Sequence, residues 1–512
     1  MFDRSLLREA IFEFVVLADT HYMRDPAGKA VEFNSRLKQT RRAETALRMA
    51  AALACPFVVH LGDLVQEYPD TEAFPLAMDE AIEQLKRSGI TPYHVAGNHD
   101  VGDKPDPTMP TRPVTEESLA AHETRFGKSW YSFDHGDCHF IVLNSQIFNT
   151  RLPAAALQQR WLEDDLAEQR GRRTFVFLHL PPFLCRQDEP SVGHYDNVGE
   201  PARYWLLQLV RKSRAEMLFA AHVHCSFIDR IDDTRYLICN STSFTRPGFP
   251  HMFASAAPPD RGRDDAAKLG FYLLRVFEER TDTHFIRTHG IEQLPPATHP
   301  PVRRVITRTT ATLPQSPLGV TLRHPLSSVV EIPLAWPSSI RQRVRNDYPL
   351  LSCLELGVSA VRVPASDLSD PLQAGRLAIL RDEGVGIVAT AIWSDALDIG
   401  ALLHEHQARV DTWELQLAGT AWPSTVQLRQ LRECQAGEAL ISLSAVIPDE
   451  TIEGKQHPRT RFGFRPDELP ELDQRLGAAD CAVQRVLCRL GARQHLWQSI
   501  ERLQRNSPFE WV

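Results

Sequence analysis

Long hydrophobic runs are missing from this chain of 512 residues. Its apolar stretches, residues 12–18 among them, are strand-sized and far too short to span a bilayer. The first ten residues carry Asp3, Arg4, Arg8 and Glu9, with no apolar leader core and no small-residue cleavage pattern. The expectation is a cytoplasmic protein without a membrane span. A C-x-x-C pair is also missing. The nine cysteines are scattered, several of them (Cys239, Cys488) inside strand-like runs, and read as reduced thiols buried in a core. There is no basic excess either. The formal net charge of −8 speaks against a dedicated nucleic-acid binder, although a local basic groove stays open. Internal repeats and low-complexity tracts are absent.

What remains is the composition of a globular protein, 43% hydrophobic and 24% charged. At about 150 residues per domain the length suits two or three units. Residues 11–18, 57–61 and 91–96 are apolar strand-like runs. Between them, residues 36–53 and 75–88 place apolar side chains at helical spacing. This β-α-β-α-β order implies a parallel sheet covered by helices. Further on, residues 130–133 and 138–145 read as a hairpin around His135-Gly136-Asp137. Helices are expected at 155–169 and 202–214, and strands at 174–178, 216–220, 226–231, 236–240, 270–277 and 283–288. A mixed sheet packed on a second sheet, with helices outside, follows. Domain boundaries are drawn at 1–293, a Pro/Thr/Arg-rich linker or wrapped segment at 294–317, and 318–512. The last part has strand candidates at 319–323, 329–335, 358–363, 385–392, 412–417, 439–446 and 482–487 separated by helical runs, which suggests an α/β, TIM-barrel-like domain.

The chemistry sits at the ends of the N-terminal strands, where open α/β sheets bind ligands. Those ends carry Asp19-Thr20-His21, Gly62-Asp63, Gly97-Asn98-His99-Asp100, His179 and His222-Val223-His224. Carboxylate, imidazole and amide donors without a thiolate suit ions such as Mn²⁺, Fe²⁺ or Zn²⁺. D-x-H and H-x-H in an extended segment would put both side chains on one side. Seven donors are too many for one tetrahedral ion and fit two ions bridged by a carboxylate. Gly62 and Gly97 would let the backbone turn beside the site.

In these blocks, taken in order over about residues 10–290, the sequence resembles the calcineurin-like metallophosphoesterase family, whose pattern is D-x-H, G-D, G-N-H-D/E, H and G-H-x-H. Within it the compact N-terminal blocks and Leu178-His179-Leu180-Pro181-Pro182 look most similar to the class III cyclic-nucleotide and glycerophosphodiester phosphodiesterase group. The resemblance implies a helix-flanked β-sandwich (αββα) for the N-terminal domain. It also implies that Asp19, His21, Asp63 and His224 hold a first divalent ion, that Asp63 bridges, and that Asn98, His179 and His222 complete a second. The ions would be Mn²⁺, Fe²⁺/Fe³⁺ or Zn²⁺. His99 would face the phosphate, and Asp100 would orient His99. Ala221 replaces the family's glycine before H-x-H and should leave ligation intact. Leu180 stands where a histidine often follows, leaving His179 as the donor there.

Arg246, His194 and Tyr195 are expected to reach substrate from loops. His60, His94 and Cys225 are expected to be packing residues. Residues 101–115, with four prolines, could form a rigid lid. The C-terminal part has polar residues near strand ends (Arg362, Asp367, Asp395, Glu414, Gln416) but no evident acid/base pair or metal cluster, so a stabilising, dimerising or substrate-shaping role is expected, with a homo-oligomer as one form. The expected function is hydrolysis of a small phosphodiester, a cyclic nucleotide or glycerophosphodiester, by a metal-bridging hydroxide. A phosphomonoesterase or nucleotide-pyrophosphate hydrolase is the alternative. A nuclease and a non-catalytic metal-binding scaffold are further ones.

Overall fold

The computed structural model describes residues 2–28, 30–106, 111–189, 195–246, 260–294, 304–306, 319–333, 341–434, 438–449, 451, 453, 454, 456, 457, 459–490, 496–507 and 509–511. The chain divides into two compact units, Met1–Arg308 with Ser327–Glu355, and Thr309–Leu326 with Leu356–Val512. No helix among the described residues is long and apolar enough to cross a membrane.

The first unit holds two sheets. In the five-stranded one, Phe12–Leu17 lies parallel to Val58–His60, which lies parallel to Tyr93–His94. On its other side Phe12–Leu17 is antiparallel to Gly270–Val276. The six-stranded sheet has Cys138–Val142, Arg173–Phe177, Met217–Ala220 and Thr234–Ile238 as consecutive parallel strands. The ligand-bearing strand ends are therefore split between the sheets, three on one and two on the other. They form a shared rim rather than the edge of a single sheet.

Side-chain alternation builds the layers. Val15 and Leu17 point to one face and pack with Leu47, Ala50, Ala77 and Met78 of helices Arg36–Ala51 and Phe74–Arg87. Phe14, on the opposite face, meets Phe140 and Phe175 of the other sheet at ring separations of 5.5 and 5.7 Å, both edge-on. The six-stranded sheet repeats the scheme. Ile141, Val176 and Leu218 pack with Leu162, Leu166, Leu206 and Val210 of helices Pro153–Glu168 and Ala202–Ser213. Helix, sheet, sheet and helix layers result, with a dry aromatic seam in the middle.

Two stretches near the expected boundary can be placed. Arg304–Val305 pairs with Phe2–Asp3, and Ile306 enters the first unit's core, so part of the expected linker is wrapped onto that unit. Of the strand expected at 329–335 in the C-terminal domain, residues 334–335 lie outside the described residues, and residues 329–333 belong instead to an antiparallel hairpin of the first unit, Ser328–Pro333 with Arg341–Asn346. The reason is a buried ion pair. Arg345 donates to Asp347 through Nε and Nη2, both at 2.8 Å, and to Asp229 through Nη1 at 2.9 Å. Tyr348 Oη accepts from Asn240 Nδ2 at 3.0 Å.

In the second unit, Gly319–Thr321, Ala360–Pro364, Gly386–Ile392, Thr412–Ala418, Leu440–Pro448, Arg485–Val486 and Glu510–Trp511 are parallel neighbours in chain order. Parallel strands laid down in order, with crossovers of one hand, put their helices on one face. Val361, Val363, Ile387, Ala389, Trp413, Leu415, Ile441 and Leu443 supply the apolar face and are buried. Arg362, Thr390, Glu414, Gln416 and Ser444 share the other face, where Arg362 Nη2 donates to Glu414 Oε1 at 2.7 Å. The order is that of a barrel. Among the described residues, however, the first and last strands do not pair, so the sheet is open and amounts to half of the expected barrel.

Two outcomes test these packing claims. Arg345→Ala strands a buried Asp347 carboxylate and should cost about 3–5 kcal/mol in denaturant unfolding. His139 lies between Asp134 and Asp165, with Nδ1 and Nε2 at 2.7 and 2.8 Å from the two carboxylates. Burial lowers its pKa, but the two carboxylates outweigh that and raise it above the usual value. The stabilisation is thus complete at mildly acidic pH and is lost as pH rises through the raised value. The stability gap between wild type and His139→Gln should narrow on going from mildly acidic to alkaline buffer.

Candidate metal centre

The seven expected donors converge on the rim between the sheets. His21 Nε2 and His224 Nε2 lie 3.1 Å apart. Asp19 Oδ1 is 3.5 Å from His224 Nε2 and 4.0 Å from His21 Nε2. A second group gathers beside them. Asn98 Oδ1 is 3.2 Å from His179 Nε2 and 3.1 Å from His222 Nδ1. Asp63 belongs to both groups, with Oδ2 lying 3.6 Å from His21 Nε2 and 3.4 Å from His179 Nε2. Its other oxygen, Oδ1, accepts from the His99 backbone N–H at 2.9 Å. The carboxylate is therefore held with one oxygen between the two donor groups.

Orientation comes from backbone carbonyls. His179 Nδ1 is 2.7 Å from Leu61 O, and His224 Nδ1 is 2.9 Å from Phe244 O. A carbonyl only accepts, so each Nδ1 carries a hydrogen and each Nε2 turns to the site, the side that metal-binding imidazoles use. His99 Nδ1 is tied in the same way to Gln66 O at 2.8 Å, leaving Nε2 for the site.

The local backbone departs from the expected route. Asp19, His21, Asp63, His222 and His224 all have positive φ, between 45° and 69°. D-x-H and H-x-H converge because the chain turns left-handed at both ends of each triplet, not because side chains alternate along an extended segment. Such conformations cost about 1–3 kcal/mol each and gather at functional sites. Gly62, at φ 98°, leaves room where a Cβ would meet Gly97 N at 2.7 Å and His179 Nδ1 at 2.8 Å. Gly97 has an ordinary φ of −91°. It is needed for space, because a Cβ there would collide with Asp63 N and Oδ1.

Electrostatics fit a cation. Both Asp19 oxygens are buried without a hydrogen-bond partner, a costly state for polar atoms that a bound cation would relieve. Burial, reinforced by His99, holds the His21 imidazole well below its usual pKa. Burial and His179 do the same for His222, and burial takes His224 down to about 3. These three rings are neutral, lone-pair-bearing donors. Burial raises the Asp19 carboxyl. Burial also opposes ionisation of Asp63, but His179 outweighs it and holds that carboxyl below the usual range.

Some expected roles change. Asp100 does not orient the His99 ring. Its Oδ2 accepts from Asp63 N and Gly97 N, both at 2.9 Å, and its Oδ1 accepts from Leu64 N at 3.0 Å. An acceptor-only group surrounded by three backbone donors clamps the two glycine turns together. Arg246, expected to reach substrate, is paired through both guanidinium nitrogens with buried Asp196, Nη2 to Oδ2 at 3.0 Å. Tyr195 does stand at the site, its ring 5.0 Å from that of His222. His194 lies outside the described residues, as does part of the expected lid (107–110). His60, His94 and Cys225 are buried, as packing residues would be. Sequence reading missed Tyr68, whose ring is 4.3 Å from that of His99, together with Asp103 and Asp196. They sit in loops without a period, and their only signal was nearness to a ligand block.

Buried oxygen and nitrogen donors in two groups around one carboxylate make a candidate dinuclear metal centre. Residues 12–226, a span that contains all seven donors, match the family model described as Calcineurin-like phosphoesterase. Serine/threonine-protein phosphatase CPPED1 of Homo sapiens is 28% identical over 177 residues, covering 33% of this chain and 53% of the relative. Its Bos taurus counterpart is 33% identical over 181 residues, covering 33% and 51%. The chain thus spans about half the length of these curated relatives. A solved purple acid phosphatase, PPD1 from yellow lupin (Lupinus luteus) seeds, aligns with 16% identity and a TM-score of 0.37 over 56% of this chain and 53% of that one. The similarity to calcineurin-like phosphoesterases thus falls on the N-terminal stretch, residues 12–226.

Gly97→Ala tests the crowding at the two turns. The variant should fold, yet bind far less Mn²⁺ or Zn²⁺ than wild type in equilibrium dialysis, because Asp63 must move. Undiminished binding would show that the close approach is dispensable.

Proposed function

We propose that the N-terminal unit hydrolyses a phosphate ester using two divalent cations. Asp19, His21, Asp63 and His224 would hold one, and Asp63, Asn98, His179 and His222 the other. The observation that carries this is the placement of Asp63 Oδ2 between His21 and His179. When bound, the cations supply the charge that draws in the phosphate oxygens and acidifies an attacking water. The chain's own residues do the rest. Asp63 and Asn98 fix the separation of the two donor groups. His99, pinned through Nδ1 to Gln66 O, keeps Nε2 for the departing ester oxygen, which it can stabilise or protonate. Asp100 holds the turns on which Asp63 and Asn98 ride.

For the substrate, the similarity to serine/threonine-protein phosphatases favours a phosphomonoester. The small phosphodiester, cyclic nucleotide or glycerophosphodiester, is the second reading, resting on the motif resemblance. His99 does not choose between them, because an alkoxide leaves in both reactions.

Parallel assays with p-nitrophenyl phosphate and bis(p-nitrophenyl) phosphate, on protein loaded with Mn²⁺, Fe²⁺ or Zn²⁺, separate the readings. Faster monoester cleavage, abolished in Asp63→Ala, supports a phosphatase. Faster diester cleavage reverses the order. His99→Ala should lower kcat by about 10²–10⁴, the usual range for a lost general acid, with metal content unchanged. Loss of metal in that variant would remove His99 from the proposed role.

A further inference from the structure

Asn98 can serve a cation only through its carbonyl oxygen, and a carboxamide is free to turn over. Its Nδ2 lies 2.8 Å from Tyr195 Oη and 3.0 Å from Tyr68 Oη. The phenols are 3.3 Å from each other. Tyr68 Oη makes a longer contact of 3.5 Å with Asp103 Oδ1, and Asp103 Oδ2 accepts from Arg112 N at 3.0 Å. Asp103 is buried.

The direction of this chain follows from the donor inventory. An ionised carboxylate only accepts, so Tyr68 must donate to Asp103. With that hydrogen committed, Tyr68 Oη has only lone pairs left, and Tyr195 donates to it. Both phenol oxygens then face the amide as acceptors. A carboxamide with two acceptors on one side satisfies them with its two N–H groups, which turns Oδ1 toward His179 and His222. In the opposite orientation, Oδ1 would face two oxygens whose hydrogens point elsewhere, and the NH₂ would face the cation.

We infer that Asp103, Tyr68 and Tyr195 form a polarised hydrogen-bond relay that locks the Asn98 carboxamide with its oxygen toward the second donor group, and so sets that group's affinity for its ion. The three are positioning residues. They act on the second ion alone, because Asp19, His21 and His224 have no bond to the relay among the described contacts. The inference rests on the proposed two-ion reading of the site.

The test is stepwise Mn²⁺ titration of the full chain by calorimetry. In wild type, two equivalents bind. In the Tyr68→Phe, Tyr195→Phe double variant, the second equivalent should weaken by about 10- to 100-fold, the usual effect of losing a partner that orients a ligand, while the first stays within twofold. Asn98→Asp supplies the control. A carboxylate has two equivalent oxygens and needs no orienting, so adding the two Tyr→Phe changes to Asn98→Asp should leave the second equivalent where Asn98→Asp alone puts it. Equal weakening of both equivalents, no weakening, or the same weakening in the Asn98→Asp background would each overturn the relay. A wild type that binds fewer than two ions would instead overturn the two-ion reading beneath it.

Discussion

One carboxylate organises the site. Asp63 has to present a single oxygen to two donor groups, each drawn from both sheets, and everything near it restricts its freedom to do so. The His99 N–H takes one oxygen. Gly97 has no Cβ because the carboxylate occupies that space. The backbone N–H of Asp63 is itself held by Asp100. The left-handed turns at Asp19, His21, His222 and His224 bring the other donors to the oxygen that is left. Several of these features are destabilising in isolation. They persist because the aromatic seam and the helix layers hold the strand ends in place, leaving the turns little freedom to relax.

The scaffold beneath the donors is made of charged and polar groups with no direct part in the chemistry. Asp100 accepts three backbone hydrogen bonds, and His60 accepts from Gly62 N through Nδ1 at 3.1 Å while its Nε2 meets Thr20 Oγ1 at 3.0 Å. Side chains that satisfy turn backbones do what a regular ladder does elsewhere, at the one place where the ladder must end. A carboxylate next to a histidine in sequence is thus no guide to which histidine, or which backbone atom, it serves.

The gathering of the candidate donors was legible in the sequence because each block is local: a few residues at the end of a strand-like run, in a fixed order. The alternation of helices and strands, and the faces given by Val15, Leu17 and Phe14, were legible for the same reason, since period and parity are local properties. Partnerships were not. Nothing near Arg246 announces Asp196, and nothing near Asn98 announces that Tyr68, thirty positions earlier, will lie against its amide. The hairpin at 328–346 shows the limit from another side. Its strands were visible, but a strand pattern does not say which sheet will take it, and the deciding contact is one buried arginine. The polar face of the second unit's sheet likewise depends on register across strands, which no single segment reveals.

That hairpin has a bearing on how the molecule is made. The chain leaves the first unit after Arg308, lays down the Gly319–Thr321 strand of the second, returns to add Ser327–Glu355 to the first, and only then completes the second. During synthesis every metal-donor block has emerged long before the arginine that closes its domain. The first unit is complete only once residue 355 has been made, when one strand of the second already precedes it in the chain, and a single cut between the units would leave each still joined to the other by a continuous strand of chain.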